Sequence, residues 1–434
     1  MFSARVTVAG AVAEGLSPRD EADRRERITE TSRTAEHLAG VLAGRPVAPE
    51  SLTEESWERL LESAVRHDLA PVLYSRLNEH GIDVPAGIGQ KLRQSYLASA
   101  ARSMCQFNEL GIILRALQAA GIPVIPLKGA CLAEAVYGNI ALRPMGDADL
   151  LVQSRDVRKA IDVLRLRGFA PEGAFDPVAE QTISHGVPMV RTGGLRVDLH
   201  WTLVGPRDRT RFGPKDLDAI WSRAKPGNVG GVSVLLLSPT DLLLHLCMHA
   251  AVGHRFSSIG LRSFLDMTLV VERYKEAIDW EEFAARANRW GTANGVCLAL
   301  LLAQEWTGLV VSRATIDALK ADPLNEGTVE WVRRKVFDGS PAETESEAVG
   351  LVSVGNLRGH LQLIRTAMRP FGISMASMLR EPRGSWRSLR VYAGRLTGYL
   401  ARCGQGLWHL VRRDKISMAD ARKEARLREY LGSR

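Results

Sequence analysis

With 434 residues, of which 45% are hydrophobic and 24% charged, the chain has the length and balance of a soluble globular protein of two or three domains. No run approaches the roughly 18 apolar residues that a membrane-spanning helix needs, so we expect no transmembrane segment. The formal net charge of +8 arises in residues 381–434, where eleven Arg and two Lys outnumber five acidic residues. The rest of the chain is neutral overall, so we expect no sequence-specific nucleic-acid binding.

The five cysteines are odd in number and include no C-x-x-C pair. This usage is typical of reduced thiols in a cytoplasm, and it argues against a disulfide framework. We therefore expect a cytoplasmic location. The cysteines are Cys105, Cys131, Cys247, Cys297 and Cys403.

The N-terminal part divides into a tail and a helical region. Residues 1–30 are polar and charged with weak periodicity, which predicts a disordered tail. Residues 31–120 have helical periodicity, with a break between two helices near Pro71. Gly121 provides a left-handed stop at the end of this region.

Residues 121–237 have the texture of a compact α/β unit. The β-branched run at 122–126 is bounded by Gly and Pro, and it predicts a short buried strand. A short helix begins at Lys128 and closes at Gly138. The next apolar run, DADLLV, has the composition of a second strand.

Two further elements complete this unit. A well-marked amphipathic helix is predicted after Ser154, which would be its N-cap. The runs VPMVRT and LRVDLHWTL then predict a β-hairpin that turns at Gly193-Gly194. Together with the preceding elements, these runs predict a small sheet with helices inside an otherwise helical chain.

Helical patterns return in the C-terminal half. Residues 238–337 are predicted to form a helical domain that opens with Ser238 as a cap. Residues 338–350 are predicted to be a loop or linker. Residues 351–434 are predicted to form a basic helical region.

The segment 381–434 interleaves apolar and aromatic residues with arginines. A basic amphipathic helix of this kind can lie on an anionic surface or meet an acidic partner. The alternative is a helix that packs on the body of the protein and leaves its arginine face in solvent. The second interpretation is the favoured one.

The motif RPMGDADLLV places Asp147 and Asp149 one residue apart at the start of a strand-like run. Alternation along a strand puts both carboxylates on one face, where like charges repel unless a cation lies between them. Carboxylate oxygens are ligands for hard divalent ions such as Mg²⁺ or Mn²⁺. On its own, the pair fits a solvated turn at least as well.

A third acidic residue, Asp198, favours the metal hypothesis. It lies in the strand-like run RVDLHW between Val197 and Leu199, whose side chains point away from it. A buried aspartate without a partner is costly, so Asp198 needs one. An acid pair on one strand and a third aspartate on another is the arrangement of a two-metal nucleotidyl-transfer site.

A second cluster, formed by His245, Cys247 and His249, could be a zinc site. His245 and His249 lie four residues apart on a predicted helix and share a face, with Cys247 between them. However, no Glu follows the first histidine, so the H-E-x-x-H pattern is absent. A packed or substrate-lining helix is therefore the favoured interpretation.

Three motifs together carry a resemblance to a known family. The motifs LKG at 127–129, RPMGDADLLV at 143–152 and VDLHW at 197–201 resemble the uncharacterised bacterial nucleotidyltransferases of the DNA-polymerase-β-like superfamily. The similarity extends from about Trp57 to about Glu272.

The resemblance implies an α+β fold. Its polymerase-β-like nucleotidyltransferase core, a small mixed sheet with helices, would be the catalytic core at residues 121–237, embedded between helical N- and C-terminal regions. The resemblance also implies that Asp147, Asp149 and Asp198 are catalytic and coordinate the metal ions.

Nucleotide binding is implied for residues around the acid pair. Lys128-Gly129, at the start of a helix, would hold the phosphates, because a lysine and a helix N-terminus both favour anions. Gly146 belongs to the same motif. Arg143 is close enough to reach a phosphate oxygen, or it pairs with Asp147 or its neighbour. The superfamily has Gly-Ser or Gly-Gly nearer the first aspartate, whereas 17 residues separate Gly129 from Asp147 here.

Three more residues are candidates for contacting the substrate. His200 shares a strand face with Asp198 and could orient it, touch the acceptor, or pack against the backbone. His254 and Arg255 lie just beyond the predicted helix of the second cluster.

The leading hypothesis is a metal-dependent nucleotidyltransferase that uses Mg²⁺ or Mn²⁺. It would transfer a nucleoside monophosphate from an NTP, such as ATP, to a hydroxyl of an unknown small molecule, peptide or protein. The first alternative is a tailoring transferase that acts on a phosphorylated or nucleotide-activated substrate, for instance a peptide natural product or a polysaccharide. The second is a non-catalytic interaction protein that retains the fold.

Overall fold

The computed structural model describes residues 52–172, 184–205, 210–323, 325–338 and 415–432, together with the positions 34, 38, 40–42, 181 and 208. The tail predicted at 1–30 lies outside the described residues. So do the linker predicted after residue 338 and the part of the basic region that precedes residue 415.

The helices from residue 52 up to the sheet are α1 (Glu54–Arg66), α2 (Ala70–Glu79) and α3 (Ala86–Ala119). Thr53 caps α1, because its side chain accepts a hydrogen bond from the Ser56 amide at 3.2 Å. Pro71 lies in the first turn of α2, where its missing N–H is tolerated, so the break between two helices falls where it is expected. After α3, Gly121 adopts the left-handed conformation, with φ of 68°.

The central sheet has five strands: β1 (Ile125–Pro126), β2 (Asp147–Leu151), β3 (Ala170–Pro171), β4 (Gly186–Val190) and β5 (Arg196–His200). Their spatial order is β1-β2-β5-β4-β3. Strands β2 and β5 run parallel, and the other neighbouring pairs run antiparallel. The protein is therefore a mixed α+β structure with a small mixed sheet and many helices.

The two faces of β2 and β5 differ in chemistry. On one face, Ala148, Leu150, Val197 and Leu199 are fully buried and share a hydrophobic core with α3 and with α5 (Val157–Arg165), the helix that follows β2. The alternation of a strand then turns the polar residues of both strands towards the opposite face. The apolar residues thus fix which way the acidic residues point.

Three local expectations can be compared with the structure. The predicted hairpin is confirmed: β4 and β5 pair in antiparallel register, and Gly193 in the turn has φ of 70°. The strand expected over 122–126 is shorter, because the Val124 carbonyl accepts a hydrogen bond from Leu235 instead of continuing the ladder to β2. The N-cap assignment of Ser154 is wrong, because a 3₁₀ turn at Ser154–Asp156 precedes the α-helix.

The central part contains two more helices and a second hairpin. One helix precedes β2, and the other is followed by the hairpin. These elements are α4 (Lys128–Ala135), α6 (Pro214–Arg223), β6 (Lys225–Val229) and β7 (Val232–Leu236). Strand β7 contacts β1 and α3, so this hairpin covers the edge of the sheet unit.

Helices form the rest of the described chain: α7 (Pro239–Met248), a π-helix (His249–Gly253), α8 (Leu261–Tyr274), α9 (Trp280–Trp290), α10 (Ala293–Thr307), α11 (Arg313–Ala318), α12 (Glu326–Asp338) and α13 (Lys415–Gly432). Ser238 caps α7 as predicted, since its hydroxyl accepts a hydrogen bond from the Asp241 amide at 3.2 Å. Leu427 and Leu431 of α13 belong to the main hydrophobic core.

No helix within the described ranges is long and apolar enough to cross a membrane. The four cysteines of the described chain are free thiols, and Cys403 lies outside it. The cytoplasmic location, the domain boundaries and the partner of segment 381–434 stay predictions.

Candidate active site

The parallel pair of strands β2 and β5 builds the centre of the site. Their register places Asp149 directly opposite Asp198, and Asp147 opposite Arg196. His200 follows at the end of β5 on the same face as Asp198. Two sequence motifs separated by about fifty residues thus meet across one strand pair.

Asp149 is the most enclosed of the three aspartates, with 3% of its surface exposed. Its Oδ1 atom lies 2.6 Å from the Lys128 ammonium and 2.9 Å from Nε2 of His200. Burial alone would raise the pKa of Asp149. The charge of Lys128 and the hydrogen bond from His200 outweigh burial and hold this pKa well below its usual range.

Asp147 and Asp198 are less enclosed. Burial raises the pKa of Asp147, and the negative charges of Asp149 and Asp198 raise it further. Asp198 has one basic neighbour in Arg196, whose Nε lies 3.3 Å from its Oδ1. The site therefore retains an excess of negative charge that a cation would relieve.

Asp149, Asp198 and His200 form a group whose potential ligand atoms lie within 4.8 Å of one another. Two carboxylates and an imidazole suit a divalent cation, and the carboxylate of Asp149 is deeply buried. This set differs from the three aspartates that the resemblance implied, because it contains His200 and leaves out Asp147. Asp147 lies on the same face, and its role as a metal ligand stays a prediction.

Lys128 and Gly129 open helix α4 beside the acidic residues. Lys128 has φ of 45°, an uncommon left-handed conformation for a residue with a side chain, and its ammonium contacts Asp149. A Cβ atom on Gly129 would lie 2.9 Å from Cβ of Met145 and 3.3 Å from Arg143. Gly129 is thus required by close packing, whereas Gly146 has open space at the same position. Phosphate binding by these residues stays a prediction.

Arg143 is buried, and its guanidinium forms two hydrogen bonds to Asp266 on α8, at 2.8 and 2.9 Å. The hydroxyl of Tyr137 donates to the same carboxylate at 2.8 Å. One alternative expected Arg143 to pair with Asp147 or its neighbour. Arg143 pairs with Asp266 instead. Contact of Arg143 with a phosphate stays untested. Asp266 is a site-supporting residue that sequence reasoning missed, because 123 positions separate it from Arg143.

A row of histidines extends from the acidic residues. The ring of His185 stacks on His200 at 5.2 Å, and His249 lies between His245 and His254, with ring centroids 6.1 and 4.5 Å away. Burial lowers the pKa of His185 to about 4 and that of His245 to about 3. Both rings are therefore neutral near pH 7. The sequence carried no signal for His185.

The zinc alternative concerns two of these histidines. His245, Cys247 and His249 are absent from the metal-ligand group found among the described residues. Nε2 of His245 is buried without a hydrogen-bond partner in the described part of the chain. The structure therefore places His245 and Cys247 as buried side chains of α7 and His249 as a half-buried side chain of the π-helix, which fits the favoured interpretation of a packed or substrate-lining helix.

His254 and Arg255 lie in a strained turn that follows the π-helix. Arg255, Phe256 and Ser258 all have left-handed φ values, of 48°, 58° and 54°. Such conformations and π-helical segments persist where the surroundings enforce them, and they are frequent at functional sites. The Arg255 carbonyl accepts a hydrogen bond from Lys335 at 3.1 Å, which helps to hold the turn.

A cavity of about 290 Å³ begins at Trp201, the residue after His200. Its wall combines aromatic, aliphatic, hydroxyl and carboxylate side chains, with Gly205 and Gly213 in the backbone. The lining side chains are Ser154, Trp201, Thr202, Val204, Asp208, Thr210, Phe212, Pro214 and Leu217.

Comparison with known proteins identifies the family to which the chain belongs. No curated protein and no solved structure matches the chain. One protein-family model, described as an uncharacterised nucleotidyltransferase, matches residues 53–308. The matched segment covers more than half of the chain and contains every residue of the site from Lys128 to Arg255. The chain therefore belongs to this uncharacterised nucleotidyltransferase family.

Proposed function

We propose that the protein transfers a nucleoside monophosphate from an NTP to an acceptor hydroxyl at the site formed by β2 and β5, within a polymerase-β-like core. Membership of the family supports nucleotidyl transfer in general. The observation that carries the specific proposal is the direct register of Asp149 and Asp198 beside His200. A fold that only bound a partner would have no need to gather carboxylates where burial and their mutual repulsion raise the pKa of Asp147.

The residues of the site divide the work of this reaction. Asp149, Asp198 and His200, with Asp147 beside them, would hold Mg²⁺ or Mn²⁺. The bound ion would supply positive charge at the phosphate and at the acceptor oxygen. Asp198, which is half-buried, is the carboxylate that can accept the proton of the acceptor hydroxyl. That hydroxyl attacks the α-phosphorus, and the bond to the β-phosphate breaks so that pyrophosphate leaves.

Substrate recognition would use the surroundings of the acid site. Lys128 and the N-terminus of α4 provide positive charge for the phosphates. The cavity beyond His200 offers an aromatic side chain in Phe212 and a carboxylate in Asp208, and it is our candidate for the acceptor site. The tailoring-transferase alternative would use the same residues on a different donor.

The test is a transfer assay with each of the four NTPs, labelled either on the α- or on the γ-phosphate, in Mg²⁺ or Mn²⁺ with a cell lysate as the acceptor source. We expect the α-label, but not the γ-label, to enter the acceptor. Asp149→Ala should abolish transfer, and Asp162→Asn, an exposed change on α5, should not. Transfer of the γ-label, or α-label transfer by Asp149→Ala, would contradict the proposal. A sugar or phosphate mass added instead would favour the tailoring alternative.

A further inference from the structure

Lys128 occupies a position at the acid site that a cation is expected to prefer. Its ammonium lies 2.6 Å from Oδ1 of Asp149, and its charge opposes part of the rise in the pKa of Asp147 that burial and the neighbouring carboxylates cause. The lysine is held there by a left-handed backbone, with φ of 45°, at the first position of α4. Strain of this kind is retained where the surroundings over-determine a conformation.

This single positive charge does not neutralise the site. Three carboxylates meet there, and the second nearby cation, Arg196, is shared with Glu172 at 2.8 Å and is 40% exposed. The pKa of Asp147 is raised because burial and two negatively charged neighbours disfavour its charged form. A divalent cation would therefore be attracted to the site with Lys128 in place.

The ammonium and a divalent cation would nevertheless compete. Oδ1 of Asp149 already accepts contacts from both Lys128 and His200. Two positive charges within a few ångströms of one buried carboxylate repel each other strongly, because the local dielectric constant is low. The ligand group that suits a divalent cation contains Asp149 itself. Binding of the ion and retention of the lysine contact thus oppose each other.

We propose that Lys128 is an exchangeable internal counter-cation, which a divalent cation displaces from Asp149. The displaced ammonium stays at the N-terminus of α4, where the helix dipole favours anions, so it becomes available to the phosphates of a nucleotide. This second step rests on the proposed function, whereas the displacement does not. In the nucleotide-free, metal-free protein, the Lys128 ammonium then occupies the place beside Asp149 that the ion would take.

The first experiment measures Mn²⁺ binding without nucleotide, from the paramagnetic resonance signal of free Mn²⁺. Lys128→Met removes the competitor, so we expect it to bind Mn²⁺ about ten-fold more tightly than wild type, within the usual range of coupling between two sites. Lys159→Met, an exposed change on α5, should bind like wild type. Equal or weaker binding by Lys128→Met would overturn the proposal.

The second experiment uses the wild-type chain and so does not depend on the folding of a variant. The accessible amines are acetylated briefly, with and without Mg²⁺, and the modification of each lysine is measured by peptide mass spectrometry. Displacement should increase acetylation of Lys128, which is 18% exposed at its side chain in the ion pair, and leave Lys159 unchanged. Unchanged or decreased acetylation of Lys128 in Mg²⁺ would overturn the proposal.

These readouts are separate from the transfer reaction. If Mg²⁺ releases Lys128 but no NTP supports transfer, the proposed function fails and the displacement stands. If transfer occurs and Lys128 keeps its protection in saturating Mg²⁺, the proposed function stands and the displacement fails.

Discussion

Asp149 and Asp198 face each other directly across the parallel strands β2 and β5. The side chains that alternate with them, such as Ala148 and Val197, are fully buried on the opposite face. A slip of one residue in the pairing would turn the aspartates into that apolar core, so burial on one face specifies the acidic register on the other. The hydrophobic pattern of two short strands thereby aligns the reactive groups.

The paired aspartates give the first prediction. Asp198→Asn keeps the size of the side chain but removes its charge, so we expect divalent-cation binding to weaken and kcat/KM for nucleotidyl transfer to fall on the order of 10²–10³-fold. Calorimetry with Mn²⁺ and the transfer assay measure the two effects. Asp162→Asn serves as the control, and a change in transfer without any change in ion binding would contradict the role of Asp198 as a ligand.

Two glycines of the predicted nucleotide site should respond differently to the same change. Gly129→Ala would bring its new Cβ to 2.9 Å from Cβ of Met145, so we expect a loss of about 1–3 kcal/mol in the free energy of unfolding. This clash outweighs the gain that Gly-to-Ala changes give in helices.

Gly146→Ala meets no atom within 4 Å, so its stability should stay within about 0.5 kcal/mol of wild type. Urea unfolding of both variants tests the pair. If Gly146 lets the backbone approach the nucleotide, the KM for NTP of this stable variant will rise. Equal stability of the two variants would contradict the expected clash between the new Cβ atom at position 129 and Met145.

The ion pair of Arg143 with Asp266 joins the sheet unit to α8. Both side chains are buried, and removing one partner leaves an uncompensated charge, so Arg143→Ala should destabilise the fold by about 3–5 kcal/mol. Arg143→Lys should recover little, because an ammonium cannot make both hydrogen bonds of the guanidinium.

The control for this pair is Arg313→Ala, which breaks an exposed pair with Asp317 and should change stability by less than about 1 kcal/mol. Chemical denaturation measures all three variants. A stable Arg143→Ala protein with a raised KM for NTP would instead support the predicted phosphate contact.

His67 predicts a pH dependence of stability away from the acid site. Burial, helped by the charge of Arg66, lowers its pKa from 6.5 to about 4, and its Nδ1 accepts a hydrogen bond from the Leu261 amide. Since the fold favours the neutral ring, its contribution is complete above pH 6.5. It is lost as the pH falls towards 4, by about 3 kcal/mol.

The measurement is the unfolding free energy of wild type, His67→Gln and His80→Gln between pH 7 and 4. The slope should decrease in His67→Gln, whose side chain does not titrate. It should persist in His80→Gln, because His80 is exposed. Identical slopes for wild type and His67→Gln would refute the assignment.

Lys335 and Glu424 form a buried ion pair at 2.6 Å between α12 and α13. Glu424→Gln leaves the lysine charge buried without its partner, so we expect a loss of about 3–5 kcal/mol. Replacing both residues by Met and Leu should recover most of this loss. Urea unfolding of Lys335→Met, Glu424→Leu and the double variant gives the coupling energy, and additive effects would contradict a strong pair.

The local chemistry of the site could be predicted from the sequence to a large extent. Asp149 and Asp198 were expected on strands, because apolar residues alternate with them, and the hairpin of β4 and β5 followed from the glycines in its turn. The family resemblance indicated that Asp149 and Asp198 belong to one site. Their parallel register was not predicted, because it depends on the whole sheet. The predicted helix start at Ser154 was wrong, because the residue types do not distinguish the 3₁₀ turn at Ser154–Asp156 from the first turn of an α-helix.

Contacts between distant segments could not be predicted. Lys128 was expected at the nucleotide's phosphates, and the structure places its ammonium on Asp149. Nothing near Arg143 in the chain indicates that Asp266 will receive it, because a buried ion pair depends on how two elements pack. His185 joins the site through the ring of His200, and a single histidine in a polar stretch carries no pattern.

Helix α13 extends the main hydrophobic core beyond the segment by which the family is recognised. Leu427 and Leu431 fill the same core as α10, and the Asn294 side chain donates to the Tyr430 carbonyl. A protein trimmed to residues 53–308 would expose that apolar surface and lose the lysine that holds the turn at Arg255. Such a fragment should aggregate when expressed, so the far C-terminus must be kept in any preparation intended for assay.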